Sequence, residues 1–567
     1  MTGSASGSAR GARRLWLQAA LAAAARQGRT EWFGSPPHLA RLVTGPRAAG
    51  FAIFPRDRRP ARPELGRQLL AGVFTFRGES LATADGGDPW NRASPSRGFA
   101  EALHGFAWLR DLCALGPEGA REAVRLIEEW RLVFGRWSDF AWGGEVLDRR
   151  VVNMSGALGA IVAIASEAEV QMLAELMARQ ARQLLIARDP AWRVTERAAA
   201  AALAGSAIAG RAGEALMRKG LARLERLIGR TVLPDGGHVS RSPEAGLELL
   251  LDLMALHDGL DQRGGHTPES VLAAIDRLRA ALRFFTLADG RLACFQGGEE
   301  GDPGHLAAAR AADESGEAKP AAEAPYAGYQ RLSGRTLQVI MDVGAPAHDP
   351  YSVTACAQPG AIEVVCGGER LITNSGWSPR AMRSQALRLT DGGSTVALGR
   401  ESAGAPLSGW MARMLGARLA GGARHVEARR ATSDTGVWVD FSHDGWAALS
   451  LRHDRRLYLD LAADELRGED LFTPTAPATG SRVIPYAVHF HLSAEVEAVL
   501  ARDHKSVLLR GPSSKGWWLR NDALDVRVEP DVHFRDGQQL PCRQVVLLGH
   551  LRADRGGRVR WKLTPVD

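Results

Sequence analysis

A change in the spacing of apolar residues near residue 300 limits the folds open to this chain. From about residue 94 to residue 287, apolar residues recur every three or four positions, as they do along amphipathic helices. After residue 326 they alternate with polar residues, as they do along half-buried β-strands. Residues 299–325 are rich in Ala, Glu, Gly and Pro, which is typical of a domain boundary. The spacing therefore predicts a multidomain α+β protein, with a helical domain before a β domain.

The two predicted domains differ in how their elements connect. In the helical region, short links containing Gly, Pro or Asp join roughly eight helices, which favours antiparallel neighbours. No regular sequence period relates these helices, so a helical toroid is favoured over a solenoid of repeats. The antiparallel strands that follow, over about 240 residues, predict a large β-sandwich. The predicted domains are residues 67–298 (an α/α-toroid), 299–325 (a linker) and 326–567 (an antiparallel β-sandwich).

Residues 1–66 are predicted to form a disordered or wrapping arm. Residues 1–14 are rich in Gly, Ser, Ala and Arg, and residues 36–66 are rich in Pro and Arg. The two Arg residues before LWLQAALAAAA resemble the start of a signal peptide. Charged residues soon afterwards favour instead a short amphipathic helix on the protein or on a membrane surface. No apolar run is long enough to predict a transmembrane helix.

Charge and cysteine content argue against several classes of function. The chain has 71 Lys and Arg residues against 64 Asp and Glu residues, and its net charge of +7 permits an acidic partner. No dense basic block indicates nucleic-acid binding. The five Cys residues are scattered without a C-x-x-C pair, so neither a disulfide framework nor a zinc site is indicated. No other metal-ligand pattern stands out in the sequence, so we predict no metal, and no cofactor is predicted either.

The stretch DGGHVSRSPEAGLELLLDLMAL, at 235–256, combines a tight turn with the start of a buried helix. Ser242 can cap this helix, Pro243 suits its first position and Glu244 favours the positive end of its dipole. His238 and Arg241 precede the helix on the turn. They fit the floor of a binding site, and they fit equally well an ordinary helix start whose polar side chains bond to the backbone.

Several motifs together resemble the heparinase II/III-like proteins of alphaproteobacteria, relatives of the heparinase II/III and alginate-lyase type polysaccharide lyases. The matching segments are LLAGVFTFRGE (69–79), DPWNRASPSRGFAEALHGFAWLRDL (88–112), DRRVVNMSGAL (148–158), LPDGGHVSRSPEAGLELLLDL (233–253), RLRAALRFFTLADGRLACFQGGEEG (277–301), AGYQRL (327–332), RRLYLDLAADELRGEDLFTP (455–474) and YAVHFHL (486–492). The resemblance implies an α/α-toroid followed by an antiparallel β-sandwich, with the site in a cleft between them. It also implies β-elimination at a uronic acid, which requires neutralising the carboxylate, removing the C5 proton and protonating the departing oxygen.

The resemblance implies substrate-binding residues in the helical domain. Asn153 stands where such lyases place a carboxylate-binding Asn, and the neighbouring Arg149 and Arg150 could hold an anionic sugar. Trp108 could stack on a sugar ring, with His104 nearby in the sequence. Structural roles stay open for all of them: a hydrogen bond to a helix end for Asn153, a solvated or capping pair for the arginines, and core packing for Trp108.

The remaining predicted site residues lie at the turn before the buried helix and in the β domain. His238 and Arg241 are placed around the substrate carboxylate together with Asn153. The predicted catalytic residues are His238, Tyr351 and His491, and the predicted substrate-binding set is completed by Arg241, Glu244 and Gln358.

Three positions depart from the pattern of catalytic relatives. Such relatives carry a Tyr near the start of the helix that follows the DG turn, whereas this chain has no Tyr between residues 1 and 325. Cys356 replaces a His expected shortly before the strand AIEVV, and Gly393 replaces a second His in TDGGSTV (390–396). The usual acid and base are therefore missing from their expected positions.

These departures leave three functions open. The first is β-elimination on a uronate-containing polysaccharide by a degenerate site, and the second is a non-catalytic glycan-binding or envelope-polysaccharide assembly protein. The third is hydrolysis by carboxylates drawn from Glu244, Glu248 and Asp252. The resemblance implies an acidic polysaccharide partner and a location in the cell envelope or periplasm. Because the sequence has no clear signal peptide, a cytoplasmic location also stays open, and the oligomeric state is not predicted.

Overall fold

The computed structural model describes residues 3–83, 87–187, 191–313, 318–381, 385–476 and 482–566, with side chains from residue 13 onward. The helices, in chain order, are α1 (Gly3–Gly34), α2 (Pro36–Val43), α3 (Pro63–Leu70), α4 (Arg97–His104), α5 (Leu109–Cys113), α6 (Pro117–Phe134), α7 (Gly144–Val162), α8 (Glu167–Ile186), α9 (Val194–Ala207), α10 (Gly210–Thr231), α11 (Pro243–Gln262), α12 (Glu269–Phe285), α13 (Pro303–Ala311) and α14 (Gly409–Leu415). The strands are β1 (Val73–Phe76), β2 (Glu79–Ala82), β3 (Glu323–Ala324), β4 (Tyr329–Ser333), β5 (Leu337–Asp342), β6 (Ile362–Cys366), β7 (Glu369–Thr373), β8 (Val396–Leu398), β9 (Gly404–Pro406), β10 (Leu419–Gly421), β11 (Val426–Thr432), β12 (Gly436–His443), β13 (Leu451–Asp460), β14 (Glu465–Pro474), β15 (Val483–Leu492), β16 (Glu497–Leu500), β17 (Val507–Arg510), β18 (Gly516–Asn521), β19 (Asp525–Arg535), β20 (Gln538–Arg552) and β21 (Gly557–Pro565).

The chain divides into two compact units, each built from several segments. Unit 1 comprises Met1–Val232, Leu247–Asp276 and Gly304–Glu314, and unit 2 comprises Leu233–Gly246, Arg277–Pro303 and Ser315–Asp567. The predicted linker at 299–325 contributes to both units and contains α13 and β3, while its residues 314–317 lie outside the described residues. Helix α13 forms there because Pro303 suits a first helical turn and the following PGHLAAARA is rich in Ala.

The N-terminal segment predicted to be disordered or wrapping contains three helices, although residues 1 and 2 lie outside the described residues. Ala, Leu, Arg and Gln, which are good helix formers, dominate α1. Three of the six prolines in residues 36–66 stand in the first turns of α2 and α3, where they favour a helix. Residues 44–62 are irregular, and Ala52 N donates to Ala207 O at 2.8 Å within unit 1. Among the described helices, none combines the length and apolar content needed to cross a bilayer.

Unit 1 packs its helices around α9, whose sequence VTERAAAAALAGSA is buried from Thr195 to Ala207. Small side chains let the neighbouring helix α10 approach closely. A Cβ at Gly205 would lie 2.2 Å from the backbone N of Met217, and a Cβ at Gly220 would lie 2.6 Å from the backbone N of Ala202. The Ala and Gly content of this region therefore reflects packing between α9 and α10.

The helices predicted from periodicity are present as α4 to α12, with one difference. Apolar spacing predicts one helix over residues 96–115. The structure has α4 and α5 there instead, because Phe106 has a positive φ of 56° that no α-helix accommodates. This conformation seats the Phe106 ring in the core, where it is fully buried.

Unit 2 contains two large antiparallel sheets. One has eight strands in the order β11-β12-β13-β14-β21-β18-β17-β16. The other has nine strands, in the order β19-β20-β15-β7-β6-β5-β4-β3 with β8 paired to β15. Apolar residues from both sheets form one continuous buried core, which includes Val339 and Val364 from the second sheet and Val439 and Leu457 from the first. The arrangement is the predicted β-sandwich, and strands such as β12 and β13 alternate core-facing and more exposed residues.

Candidate functional site

The turn before α11 is fixed within unit 2 by Asp235. Its Oδ2 accepts hydrogen bonds from the backbone N–H groups of Tyr326 and Ala327 at 2.7 and 2.8 Å, and its Oδ1 accepts one from Gly237 N at 3.1 Å. Gly236 has a φ of 86°, and a Cβ there would lie 1.9 Å from Arg277 O. The DGG sequence is therefore required by the tightness of the turn, and it sets the direction of His238 and Arg241.

Arg241 is predicted to bind the substrate carboxylate, but its N–H groups are all hydrogen-bonded inside unit 2. A guanidinium has five N–H groups, and those of Arg241 have five acceptors. The acceptors are the carbonyl oxygens of Ala327, Gly328, Gly344 and Ala345, at 2.8 to 3.2 Å, and a carboxylate oxygen of Asp342. Its guanidinium also lies over the ring of Tyr329, and its side chain is only 6% exposed. No N–H remains for a substrate.

Asp342 connects Arg241 to the segment that lacks the expected His. Its second oxygen accepts a hydrogen bond from Gln296 Nε2 at 2.8 Å, and Gln296 Oε1 accepts one from the backbone N of Cys356 at 3.0 Å. Cys356 is 3% exposed, and burial raises the pKa of its thiol to about 11. The thiol therefore stays protonated at neutral pH and is unsuited to act as a base or nucleophile.

Glu244, predicted to bind substrate, takes part in an ion-pair cluster. It pairs with Arg380, and its Oε2 accepts a hydrogen bond from Glu299 N at 3.0 Å. Arg380 also pairs with the Glu299 carboxylate at 3.0 Å, which in turn accepts from Gly537 N at 2.8 Å. Burial would raise the pKa of Glu299, but Arg380 and these hydrogen bonds hold it below its usual value. The cluster ties the start of α11 to loops of the β-sandwich.

His238 and Tyr351 are the two predicted proton-transfer groups that the structure brings together. Their rings meet edge to face, with centroids 6.2 Å apart. Nδ1 of His238 accepts a hydrogen bond from Ser240 N at 3.2 Å and lies 2.7 Å from the Ser240 hydroxyl. His238 is 4% exposed, whereas Tyr351 is partly exposed.

Gln358 fills the space beside Gly393, the position where relatives carry a second His. Its Nε2 donates to Leu387 O at 2.9 Å and to Leu389 O at 3.2 Å. A Cβ at position 393 would lie 2.8 Å from Cγ and Cδ of Gln358. The Gln358 amide is therefore bound to backbone carbonyls, and the side chain occupies the volume that a His at 393 would need.

His491, the third predicted catalytic residue, is held at both ring nitrogens. Nδ1 lies 2.5 Å from Asp531 Oδ2, and Nε2 lies 2.9 Å from Asp391 O. Its neighbour on the same strand face, His489, lies 3.0 Å from Gln544 Oε1 through Nδ1. Because His491 is also 2% exposed, it acts here as a buried connector between β15, β19 and the loop before β8.

Three of the predicted residues in unit 1 are part of its core. Arg150 is fully buried and donates to Gln180 Oε1, His104 O and Ala141 O, at 2.7 to 2.9 Å, and burial lowers its pKa to about 9. His104 Nδ1 accepts a hydrogen bond from Trp130 Nε1 at 3.2 Å. Trp108 is fully buried and donates to Leu103 O. Trp108 is thus a core residue rather than a platform for a sugar.

Asn153 and Arg149 are partly exposed but also have structural partners. Asn153 Nδ2 donates to Gly105 O at 2.8 Å. Arg149 pairs with Asp252 and lies 3.4 Å from Glu248 Oε2. The same two carboxylates pair with the buried Arg59, at 2.7 Å for Asp252 and 3.0 Å for Glu248. Two of the three carboxylates considered for hydrolysis therefore bind arginines of α7 and of the segment before α3, and the third, Glu244, pairs with Arg380.

Within the part of the chain that the structure describes, one group of buried side chains has the donor types of a metal site. Ligand atoms of Cys294, Glu300 and His533 lie within 4.8 Å of one another. Glu300 is already paired with Arg291 and, at 2.8 Å, with Arg535. These guanidinium groups supply the positive charge that a cation would supply, so we assign no metal to this group.

The structure therefore divides the predicted site between the two units. Unit 1 holds His104, Trp108, Arg149, Arg150 and Asn153, and unit 2 holds the other six predicted residues. Sequence reasoning missed partners that hold three of these side chains: Asp342 for Arg241, Arg380 for Glu244 and Asp531 for His491. Each partner is distant in the sequence, and no spacing rule connects it to the residue that it binds.

Known proteins resemble this chain both in sequence and in fold. Residues 316–562 match the model of the heparinase II/III-like C-terminal domain. FtsZ-localized protein C of Caulobacter vibrioides (strain NA1000 / CB15N) is 50% identical over 559 residues, which cover 98% of this chain and 96% of that protein.

Two solved lyases share the fold at low sequence identity. Heparinase III has a TM-score of 0.69 and 14% identity over 93% of this chain and 88% of its own. A mutant of heparan sulfate lyase HepC from Pedobacter heparinus has a TM-score of 0.57 and 15% identity, over 91% of this chain and 85% of its own. These likenesses confirm the predicted architecture, an α/α-toroid and an antiparallel β-sandwich.

Proposed function

Although the chain belongs to the heparinase II/III-like family, we propose that it keeps the lyase fold without the lyase reaction. The observation that carries this proposal is the saturation of Arg241, whose five N–H groups all have acceptors within unit 2. β-Elimination begins with neutralising a uronate carboxylate, which requires donors that face the substrate. Releasing Arg241 for that task would leave Asp342 buried without its cation.

The substitutions at the expected acid and base positions support the same proposal. Cys356 is buried and protonated, and Gly393 offers no side chain and faces Gln358. His491 is bonded at both ring nitrogens. A catalytic site needs groups that can exchange protons with a substrate, and these positions supply fixed hydrogen bonds instead.

We infer the cellular role from the relative with 50% identity, whose name states that it is localized with FtsZ. The match extends over 98% of this chain and 96% of that protein, so it leaves out almost no part of either. The proposed role is association with FtsZ or with an assembly that contains it. A chain with this role lies where FtsZ assembles, and the envelope or periplasmic location stays the alternative.

Co-sedimentation with FtsZ polymers tests this role. The purified chain is mixed with FtsZ from the same organism, polymerised with GTP, and centrifuged. The matched control is heparinase III, which has the same fold. We expect this chain, and not heparinase III, to pellet with the polymers. Equal amounts of the two proteins in the pellet, or none of either, would contradict a direct association.

A second candidate function is a lyase that uses His238 and Tyr351. The edge-to-face contact of their rings, 6.2 Å between centroids, is the observation that favours it. A Tyr hydroxyl can protonate a departing glycosidic oxygen, and a His can remove the C5 proton. If incubation with a uronate polysaccharide yields an unsaturated product, Tyr351→Phe must abolish it. Product formation unchanged by that substitution would remove Tyr351 from this candidate.

A further inference from the structure

The exposed face of the eight-stranded sheet carries a groove that is separate from the candidate site. The groove has a volume of about 460 Å³ and is lined by residues on or next to β13, β14, β18 and β21. Five of the lining side chains are basic and two are acidic, a net charge of +3. None of the predicted site residues is among them. Its volume lies in the range of ligand sites, and its charge indicates an anionic occupant.

Strand register arranges the charged side chains of this face in two parallel rows. In one row, Arg456 stands opposite both Asp440 and Glu469, and Glu469 stands opposite Arg560. Arg560 pairs with Asp522 at 2.9 Å, and Arg456 pairs with Asp440. Positive and negative charges alternate along this row, so it neutralises itself.

The second row, which we name the basic row, consists of Arg467, Lys562 and Arg520. Arg467 stands opposite Lys562, and Lys562 stands opposite Arg520, on the neighbouring strands β14, β21 and β18. Like charges directly opposite each other are unfavourable unless anions lie between them. The carboxylates near this row lie at its Arg467 end. Glu465 lies 2.5 Å from Arg467 and 3.4 Å from Lys562, and Asp460 lies 3.6 Å from Arg467.

Arg520, at the other end of the basic row, has no carboxylate partner among the described residues. Its Nη1 donates to the hydroxyl of Thr564 at 2.9 Å. The residue is exposed, so its remaining N–H groups face solvent. The groove therefore ends in an arginine whose charge is unpaired within the described chain.

Aromatic rings hold both arginines of the basic row in place. The Arg467 guanidinium lies 5.5 Å from the centroid of the Tyr458 ring, and that of Arg520 lies 5.4 Å from the Trp518 ring. Trp438 stacks on Tyr458, with the ring centroids 4.4 Å apart. It lies on β12, the neighbour of β13 on the side away from β14. A guanidinium stacked on a ring keeps the N–H groups at its edge available for carboxylates. The rings thus orient two guanidinium groups, one on each side of Lys562.

We propose that the basic row binds an extended acidic segment of a protein partner, through two or three of its carboxylates. Arg467 and Arg520 are two strands apart, a separation of about 10 Å. In an extended peptide, the side chains on one face recur about every 7 Å. The long, flexible side chains of Arg467 and Arg520 can reach carboxylates at this spacing. Tyr, Trp and Arg together are also the residue types enriched in protein interfaces.

A peptide fits these observations better than an acidic glycan. Sugar binding by aromatic residues uses the open face of a ring. Here Tyr458 contacts both Trp438 and Arg467, and one face of Trp518 is covered by Arg520. The rings are therefore occupied in orienting the arginines.

Fluorescence anisotropy on the full chain tests the proposal. The probe is a fluorescein-labelled peptide of alternating Glu and Ser, and the control probe has Gln in place of Glu. We expect salt-sensitive binding of the Glu peptide only, weakened about fivefold or more by Arg520→Gln and by Arg467→Gln. The matched control is Arg452→Gln, because Arg452 is similarly exposed on the same face of β13, pairs with Asp454 and does not line the groove. This control substitution is expected to change the affinity for the Glu peptide by less than about twofold.

Four results would overturn the proposal. These are no binding of the Glu peptide, equal binding of the Gln peptide, equal weakening by all three substitutions, and stronger competition by an alginate oligosaccharide for the same arginines. Thermal unfolding of each variant serves as the folding control, and exposed strand positions are expected to leave it unchanged. The outcome does not depend on whether the chain sediments with FtsZ, so the two proposals fail separately.

Discussion

At the scale of single residues, Arg241 shows how a side chain suited to a substrate becomes part of the scaffold. Its left-handed backbone, with a φ of 67°, directs the side chain toward Asp342 and four carbonyl oxygens. Tyr329 donates its hydroxyl to Arg241 O at 2.7 Å and also packs beneath the guanidinium. The residue therefore stabilises unit 2 through its charge, its hydrogen bonds and its ring contact.

Arg241→Ala is expected to destabilise the fold rather than only a binding site. Removing one partner of a buried ion pair costs about 3–5 kcal/mol, because Asp342 then stays buried without its cation. Urea unfolding followed by tryptophan fluorescence measures the change. The control is Arg456→Ala, which breaks an exposed pair and should cost about 1 kcal/mol or less. Unchanged stability in Arg241→Ala would show that the side chain is free to serve a ligand.

His104 is expected to make stability fall as the pH is lowered. Burial and the neighbouring Arg150 guanidinium lower the pKa of His104 from 6.5 to about 4. The contribution of neutral His104 to the free energy of unfolding is therefore fully present above pH 6.5, its pKa in the unfolded chain. As the pH falls from 6.5 toward 4, up to about 3 kcal/mol of that contribution is lost.

The variant His104→Gln keeps an acceptor for Trp130 Nε1 but does not titrate. Between about pH 7 and pH 5, its melting temperature should fall less than that of the unaltered chain. Other titrating groups are common to both proteins and cancel in the comparison. Identical pH profiles would contradict the assigned environment of His104.

Sequence reasoning could identify the polar residues of the turn but not their partners. It left two interpretations of His238 and Arg241 open, a site floor and a helix start with bonds to backbone. The contacts of Arg241 correspond to the second interpretation. Asp342 and Gly344 are more than a hundred residues away in the chain, so only the folded sheet brings them to Arg241.

At the scale of elements, two residues near the loop before β8 share one space. Gly393 has no side chain, and the long side chain of Gln358 fills the volume beside it. Gly393 has an extended backbone, with φ −125° and ψ 156°, which any residue can adopt. What keeps the position small is Gln358, whose side chain would lie 2.8 Å from a Cβ at 393. The absence of the expected His is thus built into the packing of this loop.

Gly393→His is expected to lower the free energy of unfolding by about 1–3 kcal/mol, because the new ring must displace Gln358. Combining it with Gln358→Ala should recover part of that loss, a coupling of about 1 kcal/mol in a double-mutant cycle. Gly229→His is the control, since nothing lies within 4 Å of a Cβ there. A Gly393→His variant as stable as the unaltered chain would contradict this packing.

Elements with a buried face were predictable, and elements without one were not. Helices α6, α8, α10 and α12 follow the spacing of their apolar residues because each buries one side. Strand β11, VEARRAT, is exposed or half-exposed along its whole length, so it offers no alternation to detect. The break between α4 and α5 depends on the positive φ of Phe106, a residue type that rarely adopts it.

At the scale of the whole molecule, the sequence predicted the architecture but not the segments that compose each unit. A single boundary near residue 300 separates helical from alternating patterns. In the structure, residues 233–246 and 277–303 belong to the unit of the β-sandwich. Their apolar spacing is helical or irregular, and it carries no information about which core they join. Contacts such as those of Asp235 with Tyr326 and Ala327 decide the division.

The central claim is that this molecule retains a lyase fold without lyase chemistry, and one measurement tests it most directly. Purified chain is incubated with a panel of uronate polysaccharides, including heparan sulfate and alginate, and near-ultraviolet absorbance is followed for an unsaturated product. The heparan sulfate lyase HepC from Pedobacter heparinus, which shares the fold, is the positive control on heparan sulfate. Our account predicts no product from this chain on any member of the panel. Product formation, lost in His238→Ala while the variant stays folded, would contradict it.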